Sequence, residues 1–392
     1  MEIGIVGKPN AGKSTFFSAV TDTVVDIANY PFTTIDPNKG IGYIRTSCPH
    51  VDVSNHCNPR TGFCMNNIRY VPVELVDVAG LVPGAHDGKG MGNKFLDDLR
   101  VANGFIHVID SSGSTSLTGE VASPGTYDPV DEIKFLEDEL AYWIVGIITK
   151  DIKKNIRNIT MGNKTVEEYL FDKLAGLGIT IEDILAAMRS SPIDISGEDK
   201  EALLTFAKNL LKISKPRIIA GNKADIAPEE NINRLKKLYG NEFYPTSGDY
   251  ELTLKKAAKL RIIEYFPGSE DFKYIKEPSS NQKNALEKIR QYLAIHKSTG
   301  VQEVIEKMIF ENMDNVVVFP VQDESKYTDS QGNILPDAII VKRGSTARDL
   351  AYKIHTDLGK NFIRAINAKT KMVIGQNYTV SMGDVIKIVS KK

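Results

Sequence analysis

Eight residues near the start, Gly7-Lys8-Pro9-Asn10-Ala11-Gly12-Lys13-Ser14, have the types and spacing of G-x-x-x-x-G-K-[ST]. In such a loop the glycines let backbone N–H groups close around phosphate oxygens. The lysine brings a cation to the β and γ phosphates, and the hydroxyl can ligate Mg²⁺. Phosphate contact is therefore assigned to Gly7, Asn10, Ala11, Gly12, Lys13, Ser14 and Thr15, with Ser14 also a metal ligand. A second motif, Asn222-Lys223-Ala224-Asp225, has the form N-K-x-D. The carboxylate of Asp225 can accept two hydrogen bonds from guanine, whereas adenine has neither donor in that geometry. Asn222 is expected to tie this loop to the phosphate loop, and the stem of Lys223 to cover the base. Thr246-Ser247-Gly248 fits the last base-contact loop, with a plain turn as the alternative, so Ser247 joins the nucleotide-binding set.

Between these motifs lies Val73-Glu74-Leu75-Val76-Asp77-Val78-Ala79-Gly80, which ends in D-x-x-G. Asp77 is expected to hold Mg²⁺ through a water, and the Gly80 N–H to sense the γ-phosphate. Upstream, Asn29-Tyr30-Pro31-Phe32-Thr33-Thr34 offers the threonine that closes on Mg²⁺; Thr34 is preferred, with Thr33 the alternative. After Gly80, four glycines in the nine residues 84–92 describe a loop that changes shape when the γ-phosphate is lost. Leu81 stands where many GTPases place the glutamine that orients water, so slow intrinsic hydrolysis is expected. Two residues could compensate: His86 in the glycine-rich loop, or Asn10, whose side-chain oxygen could hold a K⁺ ion beside the phosphates.

These residues need a parallel α/β sheet to position them. Residues 2–6, Val73–Val76, Phe105–Asp110 and 217–221 read as short buried strands that deliver motifs at their carboxyl ends. His107 alternates with apolar neighbours and reads as structural. Asp128-Pro129 starts a helix, with Ile133, Leu136, Leu140, Trp143 and Ile147 at seam spacing. Thr165-x-x-Glu168 is a capping box, Gly176 and Gly178 are stops, and Ser196-x-x-Asp199 opens a stretch ending near Leu211. The insertion is either a docking arm or a stabilising appendage. A helix over Glu251–Tyr265 closes the nucleotide domain, and two amphipathic helices follow at 280–297 and 300–311. Val316–Val321, Ala338–Val341, Thr379–Val380 and Val385–Val389 read as strands, and Thr346–Ile354 as a helix. The assignment is 1–112 and 216–265 for the nucleotide domain, 113–215 for an α-helical insertion, 266–315 for a helical connector and 316–392 for a β-grasp domain.

The 392 residues allow two or three domains, and 42% hydrophobic residues suffice for their cores. The net charge of −1 excludes a global nucleic-acid signal. From Val316 to Lys392, however, twelve Lys/Arg face seven Asp/Glu, a net +5 suited to RNA contact, with protein contact the alternative. Three cysteines are too few for a disulfide framework and fit a reducing cytoplasm. Tyr142–Ile148 is far short of the ~20 apolar residues of a membrane helix, and no signal peptide fits the start. Cys48, Cys57 and Cys64, with His50 and His56, crowd one loop. Their spacing is not C-x-x-C, and the segment reads as a β-hairpin loop with incidental cysteines around an Arg60-Thr61-Gly62 turn.

Together, G-x-P-N-A-G-K-S, Y-P-F-T-T, D-V-A-G-L-V-P-G-A and G-x-G-M-G-N-x-F-L resemble the Obg-related GTPases, and among them the YchF type in an archaeal form. The start of the loop at residue 7 and the long insertion before N-K-x-D favour that branch. V-K-R-G-S-T-A-R-D-L-A resembles a TGS domain. The resemblance implies a ribosome-associated GTPase that uses Mg²⁺ and contacts ribosome or RNA through TGS. No membrane and no DNA sequence recognition are expected. Many bacterial and eukaryotic members carry N-x-x-E and prefer ATP; this chain keeps Asp225. The expected reaction is GTP hydrolysis to GDP and phosphate, in a cytoplasmic switch. The rivals are an ATPase and an RNA- or protein-binding module with a structural nucleotide site.

Overall fold

A computed structural model of the chain describes residues 1–22, 38–78, 80, 84, 100–193 and 199–391. Thr33, Thr34, Leu81 and His86, and Ser196 of the helix start, lie outside them. The described residues pack as two units, one from 1–22, 38–40 and 74–304, the other from 41–73 and 305–391. Residues 41–73, read above within the 1–112 block, thus pack with the C-terminal residues, while 266–304 pack with the nucleotide unit.

Among the described residues the strands are β1 (Glu2–Val6), β2 (Lys39–Ser47), β3 (Phe63–Met65), β4 (Ile68–Asp77), β5 (Gly104–Asp110), β6 (Arg217–Asn222), β7 (Phe243–Pro245), β8 (Ile263–Glu264), β9 (Lys273–Tyr274), β10 (Asn315–Val321), β11 (Ile339–Lys342), β12 (Phe362–Asn367), β13 (Met372–Ile374) and β14 (Val385–Ser390). In the first unit the end of β4, then β1, β5, β6 and β7, pair side by side, all parallel. The register runs from Glu2↔Glu74 to Ile5↔Asp77 and from Phe105↔Arg217 to Asp110↔Asn222. Ile3, Ile5, Ile106, Ile109, Ile218 and Ile219 are buried, as near-continuous apolar strands covered on both faces must be.

The insertion is helical, as its caps require. Asp128 accepts from Val130 N at the start of helix Pro129–Thr149, and Thr165 and Glu168 form a full capping box for helix Val166–Leu174. Gly178, at φ 73°, closes the short turn that follows. Asp199 caps helix Lys200–Ser214. Ile144, Ile148, Tyr169, Leu170, Ile184, Phe206 and Leu210 form the core of this bundle. The helix read as Glu251–Tyr265 instead spans Gly248–Lys259. Arg261 takes a positive φ of 53°, and the chain turns into β8. The connector helices, Ser280–His296 and Val301–Lys307, lie where the amphipathic pattern put them.

The second unit carries the sheet β11-β10-β14-β12-β13, with β10 and β14 parallel and the other neighbours antiparallel. Helix Ala347–Ile354 buries Ala347, Leu350 and Ala351 against it, and Thr346 with Asp349 caps its start. The strand read at Thr379–Val380 is only an isolated bridge from Thr379 to Thr346. Strands β12 and β13, unread in the sequence, fill the sheet in its place. In the hairpin β3–β4 the reversal is made by Asn66 and Asn67, at φ 51° and 64°, and not by Arg60-Thr61-Gly62.

Candidate nucleotide site

Five motifs sit at the carboxyl ends of adjacent parallel strands. Gly7 follows β1, Asp77 ends β4, Asp110 ends β5, Asn222 ends β6, and Ser247 lies just beyond β7. Open α/β sheets bind ligands at this edge. The loop from β1 enters helix α1 (Lys13–Thr21) through Gly12, at φ 90°. A Cβ on Gly12 would stand 2.2 Å from Asn222 Nδ2, so both conformation and space demand glycine. Helix α1 has no side-chain cap and no acid in its first turn. Its N-terminal amides and positive dipole end therefore remain available to an anion. Ser14 is exposed in that turn, Thr15 half-buried, and Ala11 buried beneath the loop.

Lys13 Nζ pairs with Asp77, with the two side chains 12% and 24% exposed. The two charges thus balance each other where phosphate and a divalent cation would separate them. Asn222 is the strut between loops. Its Nδ2 donates to Ala11 O (3.2 Å) and Gly12 O (3.3 Å), and its Oδ1 accepts from Gly248 N (3.0 Å). Ser247 Oγ donates to Asp225 Oδ1 at 2.7 Å and accepts from Tyr250 N, fixing one carboxylate oxygen. Lys223, at φ 58°, sends Nζ to Asp110 Oδ2 (2.9 Å) and Ser114 Oγ (3.3 Å). That pose anchors the loop. Gly80 lies beside Pro9 and Gly7, where a Cβ would find only ordinary contacts at 3.5 Å or more.

The segment after β5, expected from residue 113 on to be part of the insertion, lies against the phosphate loop through Lys8–Thr115 and Asn10–Gly119. Buried Asp110 accepts from Ser112, Ser114, Thr115 and Lys223. Burial pushes its carboxyl up, but the hydroxyls of Ser112 and Thr115 and the Lys223 ammonium outweigh this and hold it below the usual range. Lys8 Nζ is buried against Thr115 O and Glu132 Oε2 (3.2 Å). Burial raises the Glu132 carboxyl to about 7 despite Lys8. Asn10, at φ 60°, donates Nδ2 to Gly119 O (2.9 Å). The run Ser111-Ser112-Gly113-Ser114-Thr115 after a strand-ending Asp was the available signal. His107 is fully buried, and burial together with Arg217 pulls its pKa well down, consistent with a structural role.

Three family descriptions match the chain: "50S ribosome-binding GTPase" over residues 2–145, the G4 motif-containing domain of Obg-like GTPases of the YGR210-like group over 220–323, and the TGS domain over 331–390. A GTP-binding protein of Methanocaldococcus jannaschii is 51% identical, over 99% of this chain and 98% of its own length. The protein named ribosome-binding ATPase YchF in Mycoplasma genitalium is 29% identical over 98% of each chain. The crystal structure of a GTP-binding protein from Pyrococcus horikoshii, 38% identical, superposes with a TM-score of 0.79 and covers all of both chains.

Proposed function

Because the chain belongs to the Obg-related, YchF-type GTP-binding proteins, we propose that it hydrolyses GTP to GDP and phosphate as a slow switch on the ribosome. The observation that carries guanine is Asp225, oriented by Ser247 in a loop that Asn222 bolts to the phosphate loop. A carboxylate held this way presents an acceptor to the base edge. With adenine it would lose its partners, at a cost of about 1–3 kcal/mol. Ribosome binding is supported by the YchF relatives, which are named ribosome-binding ATPases, and by the basic excess of the C-terminal segment. Lys353, Lys360, Arg364 and Lys369 are exposed there. The same names include ATPases, so the decisive experiment is equilibrium titration of the full chain with GDP and ADP, alongside co-sedimentation with ribosomes over a salt series. Guanine preference of tenfold or more and salt-sensitive pelleting are expected. Equal affinity for the two nucleotides would hand the site to the ATPase reading.

Mg²⁺ fits the oxygen donors present. Asp77 stands beside Lys13 at the phosphate edge, and Ser14 exposes its hydroxyl in the first turn of α1. These two, with Thr34, would hold the ion, which neutralises phosphate charge. The chain's own contribution is positioning: loop amides, the Lys13 cation and the Gly80 N–H fix the γ-phosphate for in-line attack by water. His86, which lies outside the described residues, is the chain's own candidate for orienting the attacking water once a partner is bound. For Asn10, the bond from its nitrogen to Gly119 O holds the carboxamide beside the phosphate loop, which supports a K⁺ site at its oxygen. Hydrolysis is expected to run faster in K⁺ than in Na⁺ at equal ionic strength, and the difference to vanish in Asn10→Ala. Identical wild-type rates in the two salts would remove K⁺ from the mechanism.

A further inference from the structure

The three cysteines read above as incidental converge with a histidine. Cys48 follows β2, His50 sits in the turn Pro49–Asp52, Cys57 comes from the loop beyond it, and Cys64 lies in β3. The ligand atoms of Cys48, His50, Cys57 and Cys64 all lie within 4.8 Å of one another. The Sγ atoms of Cys48 and Cys57 are 3.7 Å apart, and Cys64 Sγ is 3.7 Å from His50 Nδ1. A tetrahedron with Zn–S near 2.3 Å and Zn–N near 2.0–2.1 Å has edges of about 3.8 Å between sulfurs and about 3.6 Å from sulfur to nitrogen. We propose that Cys48, His50, Cys57 and Cys64 bind one structural Zn²⁺.

A second observation points the same way. Arg69, the cross-strand partner of Cys64, is fully buried. Its guanidinium donates to Leu335 O (2.9 Å) and Pro336 O (3.1 Å) and lies 3.8 Å from Cys57 Sγ, while Nε has no partner. Among the described residues no carboxylate pairs with it. A buried cation needs an anion. Zinc with three thiolates and a neutral imidazole carries one net negative charge and supplies it. A disulfide between Cys48 and Cys57 would be neutral and would leave Arg69 uncompensated. Four protein ligands close the coordination sphere, so the site is structural, and the thiolate-rich donor set selects zinc over hard cations.

The metal has a mechanical task. The loop it gathers docks on a segment some 270 residues away in sequence: Asn58 N donates to Ile334 O (2.9 Å), Arg60 N to Pro336 O (2.8 Å), and Arg60 pairs with Asp329 (3.0 Å). The loop has little secondary structure of its own, and a metal cross-link offsets the entropy of ordering it.

The test uses the full chain, expressed with zinc and purified reduced. Metal analysis should give about one zinc per chain, displaced in step with mercurial titration of the thiols. Exchange with Co²⁺ should produce thiolate-to-cobalt charge-transfer absorption and the intense d–d bands of a tetrahedral site. Cys57→Ser, at a half-buried loop ligand, should lose the charge-transfer intensity in proportion or shed the metal. The wild-type cobalt spectrum decides the matter even if that variant folds poorly. Less than about a tenth of a zinc per chain with no cobalt–thiolate absorption, stoichiometric iron, or a Cys48–Cys57 disulfide in the native protein would each overturn the assignment. None of these readouts involves nucleotide.

Discussion

Lys13→Ala should lower single-turnover GTP hydrolysis by about a hundred- to a thousandfold, the range for removing one preorganised cation or donor from a transition state. Lys13 sits at the mouth of α1, and its only charge partner among the described side chains is Asp77. Charge on a transferring γ-phosphoryl group spreads over its peripheral oxygens, so a fixed ammonium is worth more in the transition state than in the bound substrate. Binding of GDP, which has no γ-phosphate, should weaken far less, by about tenfold. That split between hydrolysis and binding is the diagnostic. The fold should tolerate the change, because the Asp77 side chain is 24% exposed and can be solvated when its partner is gone. A variant that hydrolyses GTP within threefold of wild type would show that the turnover observed comes from elsewhere.

Asp225→Asn should weaken guanine nucleotides by about 1–3 kcal/mol, or roughly 5- to 150-fold, while leaving the phosphate loop untouched. The substitution turns one acceptor into a donor facing the donors of guanine. Xanthine carries a carbonyl in place of the amino group, so the same variant should gain affinity for xanthosine diphosphate. Ser247→Ala removes the hydroxyl that holds Asp225 Oδ1 at 2.7 Å and should cost less, because the carboxylate survives and loses only its orientation. Competition titrations with the three nucleotides measure all of this. Unchanged GDP affinity in Asp225→Asn would mean that Asp225 does not meet the base.

These expectations rest on motifs that were legible in the amino-acid order. G-x-x-x-x-G-K-S and N-K-x-D are short, local devices in which spacing alone sets geometry, because a tight turn between a strand and a helix leaves few backbone paths. Helix starts at Asp128, Thr165 and Thr346 were equally legible, since a cap is a bond between residues two or three apart. Local rules failed where a sheet decided. β12 and β13 hold exposed Ile363, Met372 and Val373 beside buried Ala365 and Ile374, so their alternation is blurred. They became strands because β14 offered a ladder to pair with.

The sequence by itself determined the phosphate-loop and base-loop motifs, because each motif's residues are neighbours in the chain. Tertiary structure alone decided what acts across it. It brought the residues after Asp110 against Lys8 and Asn10, and it divided the chain so that 41–73 packs with the C-terminal residues. It also gathered Cys48, His50, Cys57 and Cys64 from a strand end, a turn, a loop and a second strand. Their spacing, C-x-H-x₆-C-x₆-C, has no local turn to enforce it. The four meet where a hairpin folds back, next to a buried arginine held by the carbonyls of Leu335 and Pro336.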